Sequence, residues 1–180
     1  EAVRAAANAG LSAEETFFDL ALADLTRATD LFRPVYEATG GVDGFVSLEV
    51  SPLLAYDTAQ TLADAKRLHA KGGRQNLFIK IPGTAEGLPA IEQAIFAGVP
   101  VNVTPLFSTA QYEDAAAAWL RGIERRLDAG LRPDVASVAS LFISRWDVAV
   151  AGNVPAELHM QLGIAIGQQV YKAYGDFLAS

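Results

Sequence analysis

Four short apolar runs divide the chain at fairly regular intervals, and each is followed by a stretch with helical periodicity. The runs are Gly44–Val50, Leu77–Ile81, Val99–Thr104 and Val135–Ile143. Strand and helix patterns return about every 25–35 residues, which is typical of βαβ units that build a parallel sheet. We therefore expect an α/β fold with about four parallel strands, in a single domain that covers residues 1–180.

Helix signals fill the segments between these runs. Ser12 and Glu15 form a capping-box pattern, which predicts the start of a first helix. A second helix is expected from about Asp24 toward Thr39, with an interruption at Pro34 because proline removes a helical hydrogen bond. The last helix is expected over Pro155–Leu178.

Lys80 lies inside an apolar run that ends in the turn Pro82-Gly83, and Thr84 is predicted to cap the next helix. A strand that is apolar on both sides of its lysine is expected to be a parallel strand buried on both faces. An unpaired ammonium loses its hydration there, which favours the neutral amine. Such an amine is the nucleophile that forms Schiff bases with carbonyl substrates. The alternative is a lysine whose stem packs while its charged head reaches solvent at the strand end.

Polar side chains near the ends of the neighbouring runs favour the first interpretation. Glu49, Lys80, Asn102, Thr104 and Ser140 all fall near the C-terminal ends of their predicted strands. Side chains alternate between the two faces of a strand, so each run turns one set toward helices and the other toward a shared interior. In an α/β barrel, catalytic residues collect at this end of the strands. We therefore expect these five residues to form one site.

Composition excludes several other classes of function. A net charge of −7 argues against a general nucleic-acid-binding surface. No stretch reaches the roughly 20 continuous apolar residues of a membrane span, so no membrane partner is expected. The chain has no cysteine, and its two histidines, His69 and His159, are predicted to be ordinary surface residues, so no metal site is expected. These features are typical of a cytoplasmic enzyme.

Five segments of the chain resemble the transaldolase family, in that family's order and spacing. Phe78–Thr84 with Glu86-Gly87 resembles its Schiff-base lysine motif, and Val101–Ser108 resembles the strand that follows. The other matching segments are Val46–Pro52 with the glutamate, Ser140–Arg145 after the next strand, and Ala28–Tyr36 upstream. The similarity covers essentially the whole chain and is closest to the actinobacterial and cyanobacterial type.

The resemblance implies a (β/α)8 TIM barrel of the class I aldolase superfamily, acting in the pentose phosphate pathway. Such enzymes move a dihydroxyacetone unit from a ketose phosphate (fructose 6-phosphate or sedoheptulose 7-phosphate) to an aldose phosphate (erythrose 4-phosphate or glyceraldehyde 3-phosphate). They need no metal or organic cofactor, because the protonated imine on lysine is the electron sink. The resemblance assigns imine formation to Lys80, activation of a water to Glu49, and the holding of that water to Thr104.

The resemblance also implies the substrate-binding residues. Asn102 and Ser140 would bind hydroxyls of the donor sugar, and Phe142 lies on the same face of its strand as Ser140. Arg145 would bind the substrate phosphate, since a guanidinium matches phosphate geometry well. The alternative for Arg145 is a surface ion pair with Asp147, which would contribute little.

A complete barrel has eight strands and typically about 250 residues. Four strands are predicted here, so we expect the family's first two strands before Glu1 and its last two after Ser180. The first of these carries the aspartate that the resemblance assigns to proton transfer, and residues 1–41 contain no matching strand. The chain alone is therefore expected to be inactive and to associate with itself. Two alternatives remain open: a non-catalytic, self-associating half-barrel, and a simple dihydroxyacetone or fructose 6-phosphate aldolase.

Overall fold

The structure is a computed structural model that describes residues 1–179. Its sheet has four parallel strands in the order in which they occur in the chain. They are β1 (Val46–Glu49), β2 (Leu77–Ile81), β3 (Val101–Leu106) and β4 (Ser137–Leu141). Helices alternate with these strands, which confirms the predicted α/β class and matches part of a (β/α) barrel.

Seven α-helices are found within residues 1–179. They are α1 (Ala2–Asn8), α2 (Ala13–Ala38), α3 (Thr58–Gly72), α4 (Gly87–Phe96), α5 (Thr109–Asp128), α6 (Ser144–Val150) and α7 (Leu162–Ala179). Short 3₁₀ helices cover Pro52–Leu54 and Ala156–Leu158. None of the helices in this part of the chain combines the length and the apolar character that a membrane crossing requires.

Two predictions for this region are wrong: the first two expected helices form one continuous helix, α2, and this helix runs through Pro34 without interruption. Its start is the predicted capping box: the Ser12 hydroxyl accepts from the Glu15 N–H at 3.2 Å, and Glu15 accepts from the Ser12 N–H at 2.9 Å. Proline removes one backbone hydrogen bond. In a helix of 26 residues the remaining bonds hold the axis, and an ion pair from Arg33 Nε to Glu37 (2.7 Å) spans the proline.

The last predicted helix begins later than expected. The segment after Pro155 forms one 3₁₀ turn, and α7 starts only at Leu162. Met160 has a φ of 60°, in the left-handed region that an α-helix cannot contain. This backbone turn separates the two helical pieces.

The hydrophobic core lies between the sheet and its helices. Leu77, Ile79 and Ile81 of β2 are at most 1% exposed and pack with Ile91 and Ile95 of α4. This face of β2 is thus buried, as predicted, whereas the opposite face was also predicted to be buried but combines a buried Phe78 (5% exposed) with a partly exposed Lys80. The outer strand β4 is more exposed. Its residue Val138, which lies on the same face of the sheet as Lys80, is 44% exposed. The core therefore fixes one face of the sheet and leaves the lysine-bearing face accessible.

Candidate active site

Lys80 lies one residue before the end of β2, between two isoleucines that are fully buried. Its own side chain is 24% exposed, on the face opposite to them. Lys80 is in register with Glu49 of β1 and Asn102 of β3, so the three side chains share this face. The two faces of β2 thus differ sharply: one belongs to the core, and the other carries a reactive type of side chain.

Glu49 is the charged partner of Lys80. The Glu49 Oε2 atom lies 3.2 Å from Lys80 Nζ, and the glutamate side chain is 46% exposed. The lysine side chain is therefore partly exposed to solvent, as expected for a lysine whose stem packs while its charged head reaches the strand end. Its ammonium group also contacts a carboxylate on the neighbouring strand. An amine beside a carboxylate can exchange protons with it, as formation of an imine requires.

Asn102 is held by two serine hydroxyls on the same face. The Ser140 hydroxyl donates to Asn102 Oδ1 at 2.7 Å, and Asn102 Nδ2 donates to Ser47 Oγ at 3.3 Å. Asn102 and Ser140 were expected at this site, but Ser47 was not. Its position two residues before Glu49 was the available signal, because residues at that spacing share a face of a strand.

Thr104 follows Asn102 in β3, where the strand becomes irregular. The strand was expected to end at Thr104, but pairing with β4 continues to Leu106 through a shift in register after Val103. The Thr104 side chain is only 1% exposed. It is therefore a buried hydroxyl at the same end of the sheet as Lys80.

An aromatic and cationic group lies beyond the end of β4. The Arg145 guanidinium carbon is 4.9 Å from the ring centre of Phe142 and 5.9 Å from that of Phe107. Stacking of this kind attracts the cation to the ring faces and restrains it. The alternative partner, Asp147, is buried and instead accepts from the Gly163 N–H at 3.2 Å. Arg145 is thus an exposed cation that stacks on aromatic rings just after β4.

Two loops are tied together where β1 and β2 end. The Thr84 hydroxyl donates to the Ala55 carbonyl at 2.6 Å, and the Thr58 hydroxyl donates to the Glu86 carbonyl at 2.6 Å. Thr84 also accepts from the Gly87 N–H at 3.0 Å, which closes the turn before α4, but the N-cap position of α4 is Glu86 and not the predicted Thr84. These bonds join the loop after Glu49 to the loop after Lys80.

The histidines lie away from this group. His69 is in the last turn of α3, at the opposite end of the strands, and it is not the surface residue that was predicted. Its Nε2 atom is enclosed without a hydrogen-bond partner among the described residues, and burial lowers the pKa of His69. His159 is exposed in a turn. Within residues 1–179, no group of three or more His, Asp or Glu side chains is arranged to hold a metal ion.

Comparison with known proteins identifies the chain at the level of a family. A model of the transaldolase/fructose-6-phosphate aldolase family matches residues 1–179. Transaldolase 2 of Nostoc sp. (strain PCC 7120) is 46% identical over 157 residues, which is 87% of this chain and 41% of the relative.

Two further relatives show the same pattern. Transaldolase 1 of Streptomyces avermitilis is 43% identical over 178 residues, 94% of this chain and 47% of the relative. The transaldolase of Neisseria gonorrhoeae is 42% identical over 171 residues, 94% of this chain and 49% of the relative. The chain thus spans less than half the length of each of these three relatives. On the family match and these identities, this chain belongs to the transaldolase/fructose-6-phosphate aldolase family.

Proposed function

We propose that this chain supplies the Schiff-base site of a transaldolase. The reaction is transfer of a dihydroxyacetone unit from a ketose phosphate, fructose 6-phosphate or sedoheptulose 7-phosphate, to an aldose phosphate. The observation that carries the proposal is the pairing of Lys80 Nζ with Glu49 at 3.2 Å, on adjacent parallel strands and at their C-terminal ends. Relatives that match most of the chain bear the name transaldolase, which supports it.

In the proposed reaction, the neutral amine of Lys80 attacks the ketone carbon of the donor. The resulting carbinolamine loses water and becomes a protonated imine, and Glu49 handles the protons of that water, with Thr104 holding it. The imine then accepts the electron pair of the breaking carbon–carbon bond, and an aldose phosphate leaves. The enamine that remains attacks the acceptor aldehyde, and hydrolysis frees Lys80.

Cleavage also requires a base that takes the proton from the donor hydroxyl beside the breaking bond. In the family this group is an aspartate on the first strand of the barrel. Residues 1–41 of this chain are mainly helical, with α1 and α2. We therefore assign imine formation to this chain.

The remaining site residues are assigned to substrate binding. Asn102, in register with Lys80, offers an amide, and Ser140, bonded to that amide, offers a hydroxyl; both groups suit the hydroxyls of a sugar. Arg145 supplies the cation for the phosphate, with Phe142 beneath its guanidinium. A local cation is needed because the chain as a whole carries a net charge of −7.

Product analysis tests the proposed function and separates it from a simple aldolase. The full-length polypeptide that carries this sequence is incubated with fructose 6-phosphate, with and without erythrose 4-phosphate. We expect sedoheptulose 7-phosphate only when the acceptor is present, and little free dihydroxyacetone without it. Release of dihydroxyacetone at the same rate in both reactions would assign the chain to the aldolases of the family.

Arg145→Ala is expected to raise the KM for fructose 6-phosphate by roughly 10–150-fold, the loss that corresponds to a hydrogen bond to a charged group. The KM for unphosphorylated dihydroxyacetone should change little. Steady-state kinetics with both substrates measure the difference. Arg4→Ala, on the exposed surface of α1, removes the same charge and serves as the control. An equal increase in KM for both substrates would contradict a phosphate-binding role for Arg145.

A second candidate, a non-catalytic half-barrel that self-associates, is favoured by the open sheet. Val138 is 44% exposed on the lysine-bearing face of β4, and both β1 and β4 have a strand neighbour on one side only. Exposed strand edges and apolar faces recruit partners. We expect residues 1–180 alone to form dimers or larger species, as measured by size-exclusion chromatography with light scattering. A monodisperse monomer would exclude this candidate.

A further inference from the structure

Ser47 is a polar residue on the lysine-bearing face to which the proposed reaction assigns no role. It lies in β1 two residues before Glu49, so the two side chains point to the same side of the sheet. Its side chain is half-buried, and its Oγ atom accepts from Asn102 Nδ2 at 3.3 Å. This contact joins β1 to β3 across β2, the strand that carries Lys80.

The Asn102 amide is thereby held at both ends. Ser140 donates to its oxygen at 2.7 Å from β4, while Ser47 receives one of its N–H groups from the opposite side. A primary amide with a single partner can rotate about its last side-chain bond and exchange its donor and acceptor ends. Two hydroxyls on opposite sides hold the amide plane, and they leave the second N–H of Nδ2 for another acceptor.

We infer that Ser47 is a positioning residue, which holds the Asn102 amide in the orientation that binds a hydroxyl of the donor sugar beside Lys80. The inference rests on the proposed function, since that function makes Asn102 a donor-binding residue. Ser47 acts through Asn102, and its own hydroxyl does not contact substrate. Its contribution should therefore disappear when Asn102 is absent.

A double-mutant cycle in the full-length polypeptide tests this dependence. Ser47→Ala is expected to lower kcat/KM for fructose 6-phosphate about three- to tenfold, the range for loss of one neutral hydrogen bond. In the Asn102→Ala background, Ser47→Ala should cause no further loss, because coupled residues are non-additive. Ser47→Thr, which keeps the hydroxyl, should retain most of the wild-type kcat/KM. If Asn102→Ala lowers turnover below detection, the effect is measured by borohydride trapping at Lys80. The concentration of fructose 6-phosphate that gives half-maximal trapping is then compared among the variants.

Ser137→Ala is the matched control. Ser137 is also a half-buried serine of the sheet, but it is in register with Val101, on the face opposite to the Asn102 side chain. Its hydroxyl donates to the main-chain carbonyl of Val101 at 2.9 Å and not to the Asn102 side-chain amide. We expect this variant to leave kcat/KM unchanged, whatever small change thermal unfolding records. Such a result would separate positioning of Asn102 from a general weakening of the sheet.

The inference about Ser47 would be overturned if the losses of kcat/KM from Ser47→Ala and Asn102→Ala were additive, or if Ser47→Ala kept the wild-type kcat/KM. The proposed function would be unaffected by either result. The inference would also be overturned if Ser47→Thr behaved like Ser47→Ala while its melting temperature stayed at the wild-type value. A wild-type protein that forms no imine at Lys80 would overturn the proposed function, and the inference with it.

Discussion

Borohydride reduction in the presence of fructose 6-phosphate is expected to attach the sugar carbon skeleton covalently to Lys80. The reason is the local asymmetry of β2, where the lysine sits between buried isoleucines and faces Glu49 at 3.2 Å. Digestion and mass spectrometry locate the modified residue. Lys80→Met should abolish both the label and the turnover, with a loss of at least about 10⁴-fold, as for removal of other covalent nucleophiles.

Lys66→Met is the matched control for this experiment, because Lys66 is an exposed lysine on the outside of α3. That variant should keep both label and rate. A label on any lysine other than Lys80, or one that persists in Lys80→Met, would contradict the assignment of the nucleophile. The full-length polypeptide is used, so that every part of the site that the family requires is present.

Glu49→Gln is expected to lower kcat by about 10²–10⁴-fold, the usual contribution of a general acid–base group. The amide keeps the size of the side chain but cannot carry the proton of the water in imine formation. Stability should change little, because ion pairs between partly exposed side chains contribute only about 0–1 kcal/mol to the free energy of unfolding. Stopped-flow measurement of imine formation and thermal unfolding give the two quantities.

Glu86→Gln provides the comparison for Glu49→Gln. Glu86 is an exposed glutamate on the loop that follows Lys80, and its side chain has no assigned role in the reaction. If Glu49→Gln kept the wild-type rate of imine formation, Glu49 would be a structural partner of Lys80 only. A large loss of stability together with a small loss of rate would lead to the same conclusion.

The strands and the Lys80–Glu49 pair could be predicted from sequence because both depend on local patterns. Apolar runs identify strands that are buried on both faces, and a glutamate or lysine near the end of such a run identifies the site end. The family resemblance also suggested Asn102, Ser140 and Arg145. Hydrogen bonds and ring stacking in the structure bring Asn102 to Ser140 and Arg145 to Phe142.

Other features could not be predicted, because they depend on contacts between distant parts of the chain or on one unusual backbone angle. Pro34 is a helix-breaking signal, yet α2 continues through it, so local propensity was overridden. The left-handed backbone at Met160 has no signal of its own in the sequence. Nothing in the sequence around Ser47 predicts that its hydroxyl accepts a hydrogen bond from Asn102, 55 residues further along the chain.

The sheet order has a consequence for how the site assembles. Each strand lies beside the strand that precedes it in the chain, so every new βα unit can dock on an edge that is already complete. During synthesis from the amino terminus, Lys80 and Glu49 can meet as soon as β2 joins β1. Asn102 arrives with the next unit, and Arg145 comes after β4. Among the site residues that this chain carries, Lys80 and Glu49 are therefore the first that can come together, and the groups assigned to the sugar and its phosphate are added later.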